Sequence, residues 1–240
     1  MRLSCTGNLN IMRTQNDICI IMNENCYSGR EYAHALQEKN IFIDLIIIGN
    51  NDSFDEDESE RCGGLWNPCP QQNLSNEFPI YHFKSLNDNS LISHLRESDY
   101  KIGIQGGTGI LKKLHLDEFL EGIINFHPGD LPSYRGCSAP EYQYADAKPI
   151  ISTCHFISEG IDDGDIIEKF KLDVNLTNYH TFRASIYPLT AKFVADIIHR
   201  WLSGEKFKRT KQNEKLAVYR KYIGKSKIND LIKNWTNYHL

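Results

Sequence analysis

The run Ile41-Phe-Ile-Asp-Leu-Ile-Ile-Ile-Gly49 constrains this chain more than any other stretch. It is apolar at successive positions, not at alternate ones, so it reads as a strand buried on both faces. Asp17 to Met22 is a second such run. Between them, Gly29 to Lys39 puts Tyr32, Ala35 and Leu36 on one side of a helix, after a loop at 23–28. Strand, helix and strand in this order predict a βαβ unit, and hence a parallel sheet. The loop Asn23-Glu-Asn-Cys-Tyr-Ser-Gly29 has no Gly-x-Gly-x-x-Gly, so no dinucleotide fingerprint is present.

The alternation continues. Phe78 to Phe83, Tyr100 to Gln105, Gly122 to Phe126, Ile150 to Phe156 and Asp165 to Leu172 read as strands. Leu91 to Glu97, Ala139 to Ala145 and Tyr179 to Leu202 read as helices. Pro140 suits a first helical turn, and Pro188 predicts a kink. The expected fold class is α/β: a Rossmann-like, open, mostly parallel twisted sheet with helices on both faces, plus a short C-terminal extension. At 240 residues, a catalytic domain is expected at 1–203 and a basic extension, hairpin or tail, at 204–240. Residues 1–16 are polar and suggest a small extra strand or hairpin. Asn50 to Asn76 reads as an insertion that opens on an acidic run. A solvated loop is its default reading; a substrate-covering role would use Trp66.

Hydrophobic residues at 40% and charged residues at 24% describe an ordinary globule. A formal charge of -4 argues against a general nucleic-acid binder. No apolar run reaches the length of a membrane span, and the start lacks a signal-peptide core, so a cytoplasmic protein is expected. The seven cysteines are scattered without a Cys-x-x-Cys, which suggests free thiols and no metal site. Cys137 would be a nucleophile only in a route with a covalent intermediate.

The chemistry concentrates after Gly122. Asn125 and His127 are two apart on a strand, so they point to one side, and Pro128 ends the ladder beyond them. Both therefore sit at a strand's carboxyl end, where open α/β sheets place ligands. The strand Ile150 to Phe156 is expected to end the same way and to feed a loop carrying Asp162. An Asn amide can donate to an oxyanion, a His can take a proton near neutral pH, and a carboxylate can hold that imidazole. Asp162 is expected to raise the pKa of His127. Taken singly, each residue also fits a structural loop role.

Two segments together resemble the folate-dependent formyltransferases, and within them the nucleotide-sugar N-formyltransferases. The first is Asn125-Phe-His127-Pro-Gly-Asp-Leu-Pro132-Ser-Tyr134-Arg135-Gly136; the second is His155, six residues, then Asp162-Asp-Gly164. Gly129-Asp130 departs from the Ser-Leu usual there. The resemblance implies catalytic roles for Asn125, His127 and Asp162, and 10-formyltetrahydrofolate as formyl donor. Its pterin would be held by Gly107, Thr108, Gly109, Ile110 and Leu111, with Ile157, Gly160 and Ile161 opposite. On glycine content alone, Gly106-Gly107-Thr108-Gly109 is read as a structural tight turn.

The resemblance leaves the acceptor open. A methionyl-tRNA formyltransferase carries a large basic domain after the catalytic one, and only Ser203 to Leu240 follow here. A glycinamide ribonucleotide transformylase has a Gly-Ser phosphate loop where this chain has Asn23-Glu-Asn-Cys-Tyr-Ser-Gly29. A nucleotide-linked amino-deoxysugar is the expected acceptor, with dTDP-4-amino-4,6-dideoxyglucose the first choice, in surface-polysaccharide (O-antigen) synthesis by a homodimer. The stretch Lys206 to Lys227 interleaves cations with Phe207, Tyr219 and Tyr222. It either binds the nucleotide, through Tyr219 and Arg220 with Arg135 nearby, or packs as a hairpin on the domain or a second subunit. An inactive folate-binding relative is the non-enzyme alternative.

Overall fold

A computed structural model describes residues 13–24, 26–49, 60–66, 71–74 and 76–235. A seven-stranded sheet has the order β3-β2-β1-β4-β5-β7-β8. Its strands are β1 (Ile18–Asn23), β2 (Asp44–Ile48), β3 (Ile80–Phe83), β4 (Ile102–Gln105), β5 (Gly122–His127), β7 (Ile151–Phe156) and β8 (Ile166–Lys171). From β3 to β5 every pairing is parallel; β5–β7 and β7–β8 are antiparallel. The expected open, mostly parallel sheet is therefore present. The orientation of β7 is not as expected. It runs against β5, so its carboxyl end lies beside Ile124, away from the end that carries His127.

The strand periodicity divides the core into two layers. Ile18, Ile20 and Met22 face one side of the sheet; Cys19 and Ile21 face the other. The first side is covered by α1 (Tyr27–Gln37) and by the later part of α6 (Tyr179–Leu202), through Leu36, Phe193, Val194 and Ile197. The second is covered by α3 (Asn89–Ser98), whose Leu91 and Leu95 meet Ile21 and Ile46. Helices thus lie on both faces, and truncating a fully buried residue such as Ile20 to Ala costs about 2–5 kcal/mol. Caps set the helix starts: Asp88 accepts from Ser90 N–H (2.9 Å), and Asn178 from Thr181 N–H (2.9 Å). α6 runs through Pro188 as one helix, although that proline cannot donate to the turn before it.

Short elements complete the chain: α2 (Gln71–Leu74), α4 (Lys113–Leu116), α5 (Ala139–Ala145) and α7 (Lys225–Lys233). A two-residue strand β6 (Arg135–Gly136) pairs in parallel with β9 (Tyr219–Arg220). The strand at Tyr219–Arg220 therefore pairs with residues far earlier in the chain, not within a hairpin of its own. α7 packs Ile228 and Leu231 against Tyr144, Tyr179 and Phe182. Among the described residues no helix is long and apolar enough to cross a membrane.

The expected strand or hairpin at 1–16 lies mostly outside the described residues; Gln15–Asp17 is one 3-10 turn. Of the 50–76 insertion, 60–66 is described next to the core. Trp66 is buried there, stacked on Tyr187 (ring centroids 4.6 Å apart, 12° between planes) and edge-on to Tyr27. Trp66 thus packs against side chains of both α1 and α6. The same segment is tied down by Arg61, which donates to buried Glu141 at 3.1 Å.

Candidate active site

The antiparallel register puts Asn125 opposite His155 and His127 opposite Thr153. Each polar side chain at this strand end is then fixed by a neighbour. His155 Nδ1–H donates to the Phe156 carbonyl (2.8 Å), leaving Nε2 as an acceptor 3.3 Å from Asn125 Nδ2. That contact turns the Asn125 amide so that its nitrogen faces His155. His127 Nε2–H donates to the Tyr134 carbonyl at 2.6 Å, leaving the Nδ1 lone pair directed at Asp162, whose Oδ2 is 3.5 Å away. Asp162 Oδ1 is 3.6 Å from His155 Nε2, and Gly136 N–H donates to Oδ2 at 2.8 Å. The amide, the imidazole and the carboxylate expected to converge do converge, with His155 as a fourth member.

Asp162 reaches this place by a detour. Because β7 points away, the chain turns back through 157–165, and Asp162 adopts φ 52°, a left-handed backbone rare for a residue with a side chain. Gly164 has no room for a side chain: a Cβ there would overlap the Phe156 carbonyl oxygen. Gln143, fully buried, pins the other loop. Its amide donates to the Pro128 carbonyl (3.1 Å), and its oxygen accepts from Asp130 N–H (3.2 Å) and Ile151 N–H (3.0 Å).

Gly129 also has a local reason. A Cβ there would stand 2.5 Å from His127 Nε2 and 2.7 Å from the Tyr134 oxygen. Gly129 therefore leaves room for the hydrogen bond that sets the His127 tautomer.

Burial dominates the His127 environment and lowers its pKa below the ordinary 6.5, although Asp162 and the Tyr134 carbonyl oppose the shift. Asp162 does act in the expected upward direction, but desolvation outweighs it. Burial alone would raise the Asp162 carboxyl; His127, His155 and the Gly136 N–H outweigh that and bring it down to about 2. At neutral pH the pair is therefore a neutral imidazole facing a carboxylate. Burial, and then Asp162, push the Cys137 thiol up, which disfavours a thiolate nucleophile.

The segment expected to hold a pterin follows β4. Gly107 has φ +91°, and a Cβ there would overlap Cys26 Sγ. Its carbonyl accepts from Asn23 N–H (3.0 Å), and the Gly109 carbonyl from Thr108 Oγ1 (3.1 Å). The N–H groups of Gly109, Ile110 and Leu111 meet no acceptor among the described residues. Leu111 and Ile157 pack on one apolar cluster, while Ile110 and Ile161 are exposed and Gly160 abuts Asp163. Open main-chain donors beside apolar side chains fit a flat heteroaromatic ring with polar edges. Among the described residues, no three His, Cys, Asp or Glu are grouped to hold a metal.

The three residues expected at the acceptor are placed differently from one another. Arg135 is buried, and its guanidinium is held by Gln212 (2.9 and 3.1 Å) and Glu214 (2.7 and 3.0 Å). Arg220 donates to Asp146 at 3.0 Å and lies over the rings of Tyr134 and Tyr142. Tyr219, next to it, is 53% exposed.

A doubly wound sheet with a polar cluster at a strand's carboxyl end defines the class of α/β proteins that bind ligands there. Within it, the formyl transferase family matches residues 18–182, and the chain belongs to that family. The methionyl-tRNA formyltransferase of Rickettsia prowazekii (strain Madrid E) is 29% identical over 111 residues, 45% of this chain and 36% of that protein. The matched stretch thus spans about a third of that relative's length. Among solved structures, a sugar N-formyltransferase from a Shewanella species superposes with a TM-score of 0.60 at 16% identity, covering 85% of this chain and 76% of the other. An N-formyltransferase of Helicobacter canadensis, solved with folinic acid and dTDP-3-aminofucose, gives 0.60 at 17% identity, covering 85% and 70%. At these identities the likeness concerns the fold.

Proposed function

We propose that this protein transfers a formyl group from 10-formyltetrahydrofolate to the amine of a nucleotide-linked amino-deoxysugar. The observation that carries the reading is the grouping of Asn125, His127 and Asp162 at one strand end, with His127 Nδ1 3.5 Å from Asp162 and His155 standing between Asp162 and the Asn125 amide. The donor, held by main-chain groups at 107–111 with Ile157, Gly160 and Ile161 nearby, supplies an electrophilic formyl carbon. Asn125 Nδ2 stabilises the oxyanion that forms when the amine attacks. His127 Nδ1, the unprotonated nitrogen, accepts the proton that leaves the amine. Asp162 then faces an imidazolium 3.5 Å away and stabilises it; as the oxyanion collapses, the bond from the formyl carbon to the folate nitrogen breaks, that nitrogen takes up the proton, and tetrahydrofolate leaves.

The sugar acceptor is supported by the exposed Tyr219 next to Arg220, an aromatic ring beside a cation on β9 where it pairs with β6, and by the sugar N-formyltransferases of similar fold. The segment from the end of β1 into α1, residues 23–29, has no glycine-rich sequence of the kind a phosphate cradle for glycinamide ribonucleotide would need. dTDP-4-amino-4,6-dideoxyglucose is the first acceptor to try. The setting we assign is the cytoplasm, in O-antigen synthesis, with the enzyme as a homodimer. The test is an acceptor screen with 10-formyltetrahydrofolate across dTDP-, UDP- and GDP-linked amino sugars, glycinamide ribonucleotide and methionyl-tRNA. Formylation of a nucleotide sugar is the expected result; turnover only with one of the last two would replace the acceptor.

A further inference from the structure

Asp162 stands on a loop, in a backbone conformation that persists only where the surroundings impose it. The Gly136 N–H grips its carboxylate, but something must also hold its main chain. Gln212 does so. Its Nε2 donates to the carbonyls of both Asp162 and Gly164, each at 2.8 Å. Its Oε1 accepts from Arg135, which Glu214 holds from the other side. The side-chain amide therefore uses both donors and its acceptor at once. Glutamate has the length without the donors, lysine the donors without the acceptor, and asparagine is one methylene short.

The backbone of Gln212 is itself anchored on both sides. Thr210 and Ile166 exchange two main-chain hydrogen bonds (2.8 and 2.9 Å), and Asn213 caps a short 3-10 turn by accepting from Lys215 N–H (3.1 Å). A few residues later β9 receives Arg135 and Gly136, including the very residue whose N–H binds Asp162. Segment 210–220 thus supports the Asp162 loop from two directions, although it lies outside the family match at 18–182.

We propose that Gln212 is a positioning residue for formyl transfer, holding the Asp162 loop so that its carboxylate faces His127. This rests on the reading of Asp162 as the partner of His127. Around His127 the titratable groups are Asp162 and His155. If Gln212 is lost, Asp162 withdraws and the imidazole loses its stabilising charge.

The experiment compares wild type, Gln212→Met, Gln212→Glu and Asp162→Asn. It uses full-length protein, 10-formyltetrahydrofolate and whichever acceptor wild type formylates, or dTDP-4-amino-4,6-dideoxyglucose as probe. Turnover is read together with the His127 titration by imidazole NMR on free enzyme, which needs no acceptor. Gln212→Met is expected to lower turnover about 10²-fold, the scale of a loss of alignment. It should also move the His127 titration to lower pH, in the direction that Asp162→Asn moves it. Gln212→Glu keeps an acceptor for Arg135 and so guards against a folding defect; it should lose turnover likewise, because a carboxylate cannot donate to two carbonyls. A His127 titration and turnover unchanged in Gln212→Met, with Asp162→Asn impaired, would overturn the role of Gln212 alone. An unimpaired Asp162→Asn would overturn the Asp162 reading and this inference with it.

Discussion

The two ends of the sheet hold their active groups by different means. In the parallel part, β5 delivers Asn125 and His127 directly, because a parallel strand's carboxyl end is already at the crevice. Their spacing and direction follow from the ladder. In the antiparallel part, β7 runs the other way, so no strand delivers Asp162. A loop carries it back, and hydrogen bonds from Gly136 and Gln212 replace the ladder. Groups borne on the strand are therefore vulnerable chiefly through their own atoms. The group borne on the loop is vulnerable through its supports as well.

The severest break should come at the loop-borne charge. Asp162→Asn keeps the shape and is expected to cut turnover about 10²- to 10⁴-fold while leaving folate binding intact. Equal turnover in wild type and variant would show that the loop serves only the fold. The same variant sharpens the pH argument. Burial already places the His127 pKa below 6.5, so wild-type turnover at saturation should fall on the acid side, below that value, as Nδ1 protonates. Removing Asp162 takes away an upward influence, so the acid limb should move still lower. An alkaline limb in its place, abolished by His127→Asn, would make His127 a proton donor instead.

Stability should show the same sign. Both groups have folded pKa values below their unfolded ones, so each contribution is complete above the unfolded value. That of His127 is present above 6.5 and lost as pH falls through its lowered folded value. That of Asp162 is present above 3.8 and lost as pH falls through about 2. Acid titration of the unfolding midpoint reads both.

On the strand, Asn125→Ala removes one oxyanion donor and should lower turnover about 10²- to 10³-fold, with acceptor affinity nearly unchanged. A loss of tenfold or less would make Asn125 a structural partner of His155. Gly129→Ala is milder chemically, but its Cβ would press on both atoms of the His127–Tyr134 hydrogen bond. The expected cost is about 1–3 kcal/mol in denaturant unfolding and a rate loss of about tenfold to 10²-fold. Unchanged stability and rate would show that the loop relaxes around it. The smallest effect belongs to Arg220→Ala, which should raise the acceptor KM about tenfold and leave folate binding alone. Because Arg220 already pairs with Asp146 at 3.0 Å, loss of stability without a KM change would assign it to packing.

Much of the parallel part was legible because its signals are local. Continuous apolar runs mark β1, β2 and β5, and the bounds of α5 and α6 are those the sequence shows. Asn125, His127 and Asp162 were legible through motif spacing. The direction of β7 was not, since a strand's side-chain period is the same whichever way its neighbour runs. β6 and β9 are two residues each, too short for any period. Gln212 sits in a polar stretch where nothing distinguishes a buried strut from a solvated side chain. The reason for Arg135 was equally hidden: its partners Gln212 and Glu214 are some eighty residues away in the chain. The one available signal for His155 was its place in the second motif, and its use, turning the Asn125 amide, depends on the cross-strand register.

That register has a consequence for how the chain can vary in length. Asn125 meets His155 only because residues 124–127 oppose 156–153, and a bulge against β8 falls between Cys154 and His155. A residue gained or lost near Lys148, before β7 begins, changes only the path of a connection. One gained or lost between Ile151 and His155 would turn His155 to the opposite face and present Cys154 or Phe156 to the amide. The lineage of this protein can therefore lengthen its connections freely, but the spacing within these two strands is a reading frame that insertion and deletion cannot enter without erasing the site.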